Sequence, residues 1–151
     1  MNSQFIVVTA FIPYKGKALI LQRAASERFL PHHWEQAGGK VEFSENPLDT
    51  LVREVQEEAA LAVKPLRPYY VHDYHIGDDR HMVEIAFHCE LAIKPKISLS
   101  ADHQAYQWVT REELNSVDPM TESMRKLIME GFNYLASDGM VKRLQTVRQT
   151  G

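Results

Sequence analysis

Glu54, Glu57 and Glu58 stand at i, i+3 and i+4 in this 151-residue chain. On a helix of about 3.6 residues per turn they span an arc of about 100°. Like charges at that spacing repel by roughly 0.2–0.5 kcal/mol per pair on an exposed helix, and by more when partly buried. The only base close by is Arg53, with Asp49 and Glu57 one turn to either side of it. A charge run is often no more than a solvated helix face, but a face selected for solubility mixes its signs. The unmixed cluster is accounted for if divalent cations normally sit on it. Its ligands are all oxygens, with no His or Cys among them, which suits Mg²⁺ or Mn²⁺ and gives no reason to expect zinc. Exposed backbone at Gly38-Gly39 could meet a metal or a phosphate, and Arg23 and Lys40 could take further phosphate charge. Metal-dependent phosphate chemistry is the expectation.

The acids need a rigid support, and the sequence supplies one. Asn46 is a good N-cap, and Pro47 suits the first helical position, where its missing N–H costs nothing. Leu48, Leu51, Val52, Val55 and Ala59 then recur at helical spacing as one apolar stripe, with the glutamates beside it. Pro65 and Pro68 mark the way out of the helix. Before it, Phe5–Phe11 reads as a strand, and with the Lys15-Gly16 turn and Ala18–Gln22 it suggests a hairpin. Residues 24–34 read as a loop. His81–Leu91 reads as a strand after a turn at Gly77-Asp78-Asp79, and Tyr106–Val109 as another. Thr110-Arg111-Glu112-Glu113 is a capping box that opens a short helix. Met124, Leu127, Ile128, Gly131 and Leu135 form the face of a last helix, stopped by Asp138-Gly139. The tail from Met140 has no clear pattern and is expected to be loosely ordered. Strands and helices interleave without regular βαβ alternation, so a mixed sheet sandwiched by helices, an α+β fold, is expected.

Composition narrows the function classes. Hydrophobic residues make up 44% and charged residues 25%, which excludes wholesale disorder, and the length suits one domain over residues 1–151. The net charge of −3 argues against a duplex nucleic-acid binder. It conceals an asymmetry, because seven acids against two bases between Glu35 and Leu61 give that segment −5. The apolar stretch Phe5–Ile12 is too short to span a bilayer and lacks a signal peptide's layout, so no membrane partner is expected. The one cysteine, Cys89, excludes an intrachain disulfide and fits a reducing cytoplasm. It reads as a small buried hydrophobe. The seven His residues show no metal spacing, and His72, His75 and His88 read as polar surface or satisfied strand histidines.

Residues 39–61, GKVEFSENPLDTLVREVQEEAAL, resemble the Nudix box, G-x5-E-x7-R-E-U-x-E-E-x-G-U with U a bulky apolar residue. Gly39, Glu45, Arg53, Glu54, Val55, Glu57, Glu58 and Leu61 match it. Leu19–Arg23, Trp34-Glu35, Gly38–Glu42 and Asp102–Leu114 look like the family's flanking elements, so the likeness reaches to about Leu135. It implies a Nudix-type α/β/α sandwich with a mixed β-sheet, and cleavage of a diphosphate linkage in a nucleoside diphosphate joined to a group X. By carry-over, Gly38, Glu54, Glu57, Glu58 and Asp102 would hold Mg²⁺ or Mn²⁺. Glu54, Glu57 and Arg53 would form the catalytic set, with Glu54 deprotonating the attacking water. Arg53 and Glu45 would brace helix and loop by pairing. Arg23, Lys40 and Trp34 would bind substrate, Arg23 by gripping a phosphate. Asp102 or His103 falls where relatives supply another carboxylate. Three positions depart from the pattern: Ala60 for the final Gly, Ala37 for a Pro, and Ser44 for a Gly. Ala60 in a left-handed turn would cost about 1 kcal/mol.

The segments HHWEQAGGKVE and LQRAA look most like the MutT-like branch, which takes a (deoxy)nucleoside triphosphate to monophosphate and pyrophosphate. An ADP-ribose pyrophosphatase would carry a proline a little past the box, where His75 and Ile76 stand. Trp34, Phe29 and Tyr74 are candidates to stack on a base, against a plain packing role. The alternative is a non-catalytic Nudix-like module that senses a nucleotide or binds a protein, and a third class is a structural interaction protein. Such modules are expected to lose box acids, and this chain keeps them. The expected partner is a small nucleotide, with a monomer or a homodimer both open.

Overall fold

A computed structural model describes residues 1–150, with side chains through Ser137. Strand β1 (Ser3–Phe11) is followed by β2 (Pro13–Tyr14), β3 (Lys17–Arg23), β4 (Trp34–Glu35) and β5 (Ala37–Lys40). Helix α1 (Pro47–Ala59) then leads to β6 (Val63–Ile76), β7 (Arg80–Leu91), β8 (His103–Val109), a 3₁₀ turn (Glu113–Ser116) and α2 (Glu122–Thr150). One sheet runs β5-β1-β7-β6, with β1 and β7 parallel and the outer pairs antiparallel. In the second, antiparallel sheet β3 pairs with β2, β4 and β8.

Alternation along the strands sends neighbouring residues to opposite faces. Val8 and Ala10 of β1, Leu19 and Leu21 of β3, and Phe87 and Cys89 of β7 join Leu51, Val55 and Ala59 of α1 in one buried cluster. Phe11, Ile20 and Ala86, from the other faces, join Leu127, Ile128 and Phe132 of α2 in a second. The result is an α+β fold with a mixed sheet and helices on both sides. Burial pushes the Cys89 thiol up to about 12, so this cysteine is a small apolar packing residue.

Several local expectations hold. The Asn46 side chain accepts from the Leu48 N–H at 2.9 Å. The capping box closes reciprocally: the Glu113 N–H donates to Thr110 Oγ1 at 3.1 Å, and the Thr110 N–H to Glu113 Oε2 at 3.3 Å. Ala60 ends α1 at φ 57° and Ser44 sits at φ 64°, both left-handed. Ala60→Gly should therefore raise stability by about 1 kcal/mol, because glycine takes this conformation without a Cβ clash. Chemical denaturation of the two proteins checks it; an unchanged or lower midpoint means that the unfolded chain's extra freedom outweighs the relieved strain.

Other expectations are corrected. Phe5–Phe11 and Ala18–Gln22 do not form a hairpin, since β1 and β3 lie in different sheets. The buried end of β1 requires partners on both edges, and β5 and β7 supply them; the Lys15-Gly16 turn closes only β2 on β3. The segment read as a way out of α1 is the 14-residue strand β6, which carries His72 and His75. It tolerates Pro65 and Pro68 because it is an edge strand and its pairing shifts register at both. The buried face of α1 is also rotated from the expected stripe, with Thr50 and Glu58 buried and Leu48 and Val52 exposed. Helix α2 continues through Asp138-Gly139 to Thr150. The side chains of the tail from Met140, and Gly151, lie outside the described residues.

Candidate active site

Helix α1 meets the glycine strand β5 side by side. A Cβ on Gly38 would come within 2.1 Å of the Val8 carbonyl oxygen, so β5 lies against the β1 backbone at a distance that only glycine allows. A Cβ on Gly39 would stand 2.3 Å from the Glu54 carboxyl carbon. The two glycines thus cradle the carboxylates: Glu54 fills the space over Gly39, and the Gly38 N–H donates to Glu58 Oε2 at 3.2 Å. Packing of the first core cluster leaves Glu58 only 8% exposed.

Arg53 braces the cluster. Its Nε and Nη2 donate to the two oxygens of Glu45 at 2.9 and 3.0 Å, a bidentate pair across the loop before α1. Nη1 reaches Glu54 at 3.0 Å and Glu57 at 3.3 Å. The Thr50 hydroxyl adds a 2.6 Å bond to Glu45. The Arg53 bonds, then that of Thr50, hold the Glu45 carboxyl down at about 2. The support predicted for Arg53 and Glu45 is therefore present. Arg53→Ala should lower turnover about tenfold or more by freeing Glu54, and should lower the melting temperature, while metal binding survives because no ligand is removed. Kinetics, melting and a Mg²⁺ titration of the variant check this; unchanged kinetics and melting would leave Arg53 as ordinary surface.

Glu58 is held up at about 9, first by burial and then by the negative charge of Glu35, with Glu54 and Asp102 contributing and the Gly38 N–H opposing. Burial likewise raises Glu54, against the pull of Arg53. Asp102 is brought near because Ser98 N–H and Ser100 N–H donate to the last α1 carbonyls, Ala59 and Glu58, at 3.1 Å each. His103, its neighbour, turns inward instead, with Nε2 at 3.6 Å from Glu35 Oε2. Glu35 had no role in the sequence reading. Its carboxylate sits between Arg23, His103 and Glu58, a convergence that only the tertiary structure creates.

The cluster opens on a cavity of about 750 Å³. Glu58, Gly38, Gly39, Lys40, Arg23 and Trp34 line it, whereas Glu54, Glu57, Arg53 and Asp102 do not. Glu57 points outward, its side chain 57% exposed. Arg23, expected to grip a phosphate, is engaged with Glu35 at 3.0 Å, Glu27 at 3.2 Å and the Phe29 carbonyl at 2.8 Å. It anchors the loop that walls the cavity. Lys40 lies over the Phe5 ring at 4.6 Å. Trp34 is a buried core residue, and Phe29 and Tyr74 lie parallel with ring centroids 6.3 Å apart.

Among the described residues no three acid or imidazole groups converge around one point closely enough to enclose an ion. Arg53 accounts for part of that, since it draws Glu54 and Glu57 toward itself. By donor chemistry the group fits a hard divalent cation. Glu58 and Glu54 are desolvated carboxylates, the charge of Glu58 opposed by Glu35 and Asp102 and that of Glu54 by Glu57 and Glu45, and the Gly38 backbone adjoins Glu58.

The comparisons agree with this geometry. The NUDIX domain family matches residues 4–130. The chain is 28% identical to the nucleoside triphosphatase NudI of Enterobacter sp. (strain 638) over 125 residues, covering 76% of this chain and 88% of that protein. It is 34% identical to the CTP pyrophosphohydrolase of Escherichia coli (strain K12) over 110 residues, covering 71% and 76% respectively. The crystal structure of a MutT protein from Methanosarcina mazei Go1 superposes with a TM-score of 0.78 at 25% identity, covering 89% of this chain and 96% of that one.

A mixed sheet lies between helices, with a braced carboxylate helix facing a glycine strand. The chain belongs to the Nudix family, as a pyrophosphohydrolase acting on nucleotide substrates. Divalent metal ions are general in that family. Among the described residues, no helix is long and apolar enough to cross a membrane.

Proposed function

We propose that the protein hydrolyses a (deoxy)nucleoside triphosphate to the monophosphate and pyrophosphate, with Mg²⁺ or Mn²⁺ held by Glu54, Glu58, Glu57, Asp102 and the Gly38 carbonyl. The observation that carries this reading is the junction of the carboxylates with Gly38-Gly39 at the edge of a cavity of nucleotide size. Bound metal supplies charge neutralisation on the phosphate oxygens and lowers the pKa of a coordinated water. Glu54, fixed by Arg53 and by the space over Gly39, accepts the proton of the attacking water. Arg53 favours that carboxylate's charged form, against burial, and orients it. Lys40 meets the phosphate chain at the cavity wall, and Arg23 holds the Phe29 loop in place beside it. The names of NudI and of the CTP pyrophosphohydrolase support a triphosphate substrate.

The experiment is a panel of nucleoside triphosphates, dinucleotides and nucleotide sugars, scored by product. Pyrophosphate with monophosphate from a triphosphate is expected, with activity lost in excess chelator and restored by Mg²⁺ or Mn²⁺. Full turnover in chelator would sink the metal chemistry. Cleavage of dinucleotides or nucleotide sugars alone would move the protein to another substrate class.

A further inference from the structure

Glu84 is in the wrong place for a glutamate. Along β7, Arg80, Met82, Glu84, Ala86 and His88 share one face, of which Met82 and Glu84 line the cavity, Glu84 at 2% exposure. The strand register places Val7 of β1 on one side of it and His72 of β6 on the other. Thr9 Oγ1 donates to Glu84 Oε2 at 2.9 Å, and His72 Nε2 donates to Glu84 Oε1 at 3.0 Å. Gln36 Nε2 in turn donates to Thr9 Oγ1 at 3.1 Å. Every bond in this array therefore runs toward Glu84, which is its terminal acceptor.

A buried carboxylate is costly unless bonded, and a methionine would fill the same space without that cost. The array also includes none of the residues assigned above to metal or phosphate. It does adjoin them: Thr9 is the β1 partner of Gly38, whose N–H holds Glu58, so the two groups sit on neighbouring strands of one cavity. A carboxylate has about four lone-pair directions, of which Thr9 and His72 take two. One acceptor direction per oxygen is left for a ligand. The complementary group is a flat edge with two adjacent N–H donors.

Resting on the nucleotide reading above, we propose that Glu84 is the residue that selects the base, and that the base is guanine. Guanine carries N1–H and an N2 amine side by side on one edge, which matches the two remaining acceptors. Cytosine and adenine place a ring nitrogen acceptor beside their amine, and uracil flanks its single N–H with two carbonyls. Each of these sets a lone pair against a carboxylate oxygen. Thr9 and His72 act through Glu84, as positioning residues that fix the plane of the carboxylate.

Binding of GMP, CMP, UMP and AMP, measured by calorimetry on the wild type and on Glu84→Gln, tests the proposal beside kcat/KM for the four triphosphates. The wild type should bind GMP at least about tenfold more tightly than the other three, because two charge-assisted bonds are at stake. Glu84→Gln keeps the shape but replaces one acceptor by a donor. It should weaken GMP binding about tenfold or more while leaving CMP equal or improved, with melting close to the wild type. A wild type with no preference for GMP, or a Gln variant that keeps it, overturns the proposal; the wild-type ranking decides the matter even if the variant fails to fold. Guanine preference in binding with no hydrolysis of any triphosphate would instead overturn the reaction reading and support the base assignment.

Discussion

Glu54→Gln and Glu58→Gln are each expected to lower turnover about a hundredfold or more, since losing a metal ligand or a base forfeits several kcal/mol of transition-state stabilisation and about 1.36 kcal/mol is a factor of ten. A solvated-face role would predict almost no change. Stability separates the two further. Without metal, Glu58 is a buried acid raised from 4.5 to about 9 by desolvation and by Glu35. Its folded-state pKa exceeds its unfolded one, so the stability it contributes is complete below about pH 4.5 and is lost as pH rises through about 9. Gln carries no such charge. The metal-free melting temperatures of wild type and Glu58→Gln should therefore nearly agree at about pH 5 and diverge in favour of Gln toward about pH 9. Mg²⁺ should reverse the order at neutral pH, because it stabilises only a protein that can bind it. Melting curves across pH with and without Mg²⁺, beside turnover, provide the check. Near-normal turnover in both variants would place the catalytic site elsewhere.

Gly39→Ala and Gly38→Ala should fail in different ways. At Gly39 the added methyl meets the end of a flexible side chain, the Glu54 carboxylate at 2.3 Å, which can move aside. The fold should survive with melting near wild type, while turnover falls about a hundredfold, as a displacement of about 1 Å at a reacting group can produce. At Gly38 the methyl meets the Val8 carbonyl oxygen and the Thr9 backbone, which cannot move without separating β5 from β1. There the loss should be of stability, about 1–3 kcal/mol, as for other overpacked sites. Melting temperature and kcat measured on both variants read the contrast. Equal stability losses in the two would show that β5 is held by packing alone, with no special place for Glu54.

The carboxylate helix was legible because its signals are local. Asn46, Pro47 and the spacing of Leu51, Val55 and Ala59 specify α1 within a few turns, and Arg53 lies one residue from Glu54. The Glu45–Arg53 pair and the Thr110–Glu113 box are short-range for the same reason. Glu58 was legible as a site candidate but not as a buried group. The stripe was read from hydropathy alone, whereas the angle at which α1 lies on the sheet buries Thr50 and Glu58 and leaves Leu48 and Val52 outside.

Glu84 had a signal that the reading passed over, a single charge in the apolar run Met82–Phe87. Its meaning still depended on β1 and β6, which bring Thr9 and His72 to it from 75 and 12 residues away. By itself, then, the sequence determined α1, its caps, its carboxylates and the family, because helix geometry converts spacing directly into shared faces. Only the tertiary structure decided that β1 lies parallel to β7, that a proline-bearing segment is an edge strand, that Arg23 is taken by Glu27 and Glu35, and that Glu84 faces the cavity. Strand partners are chosen by burial and register over long separations, and no local spacing records that choice.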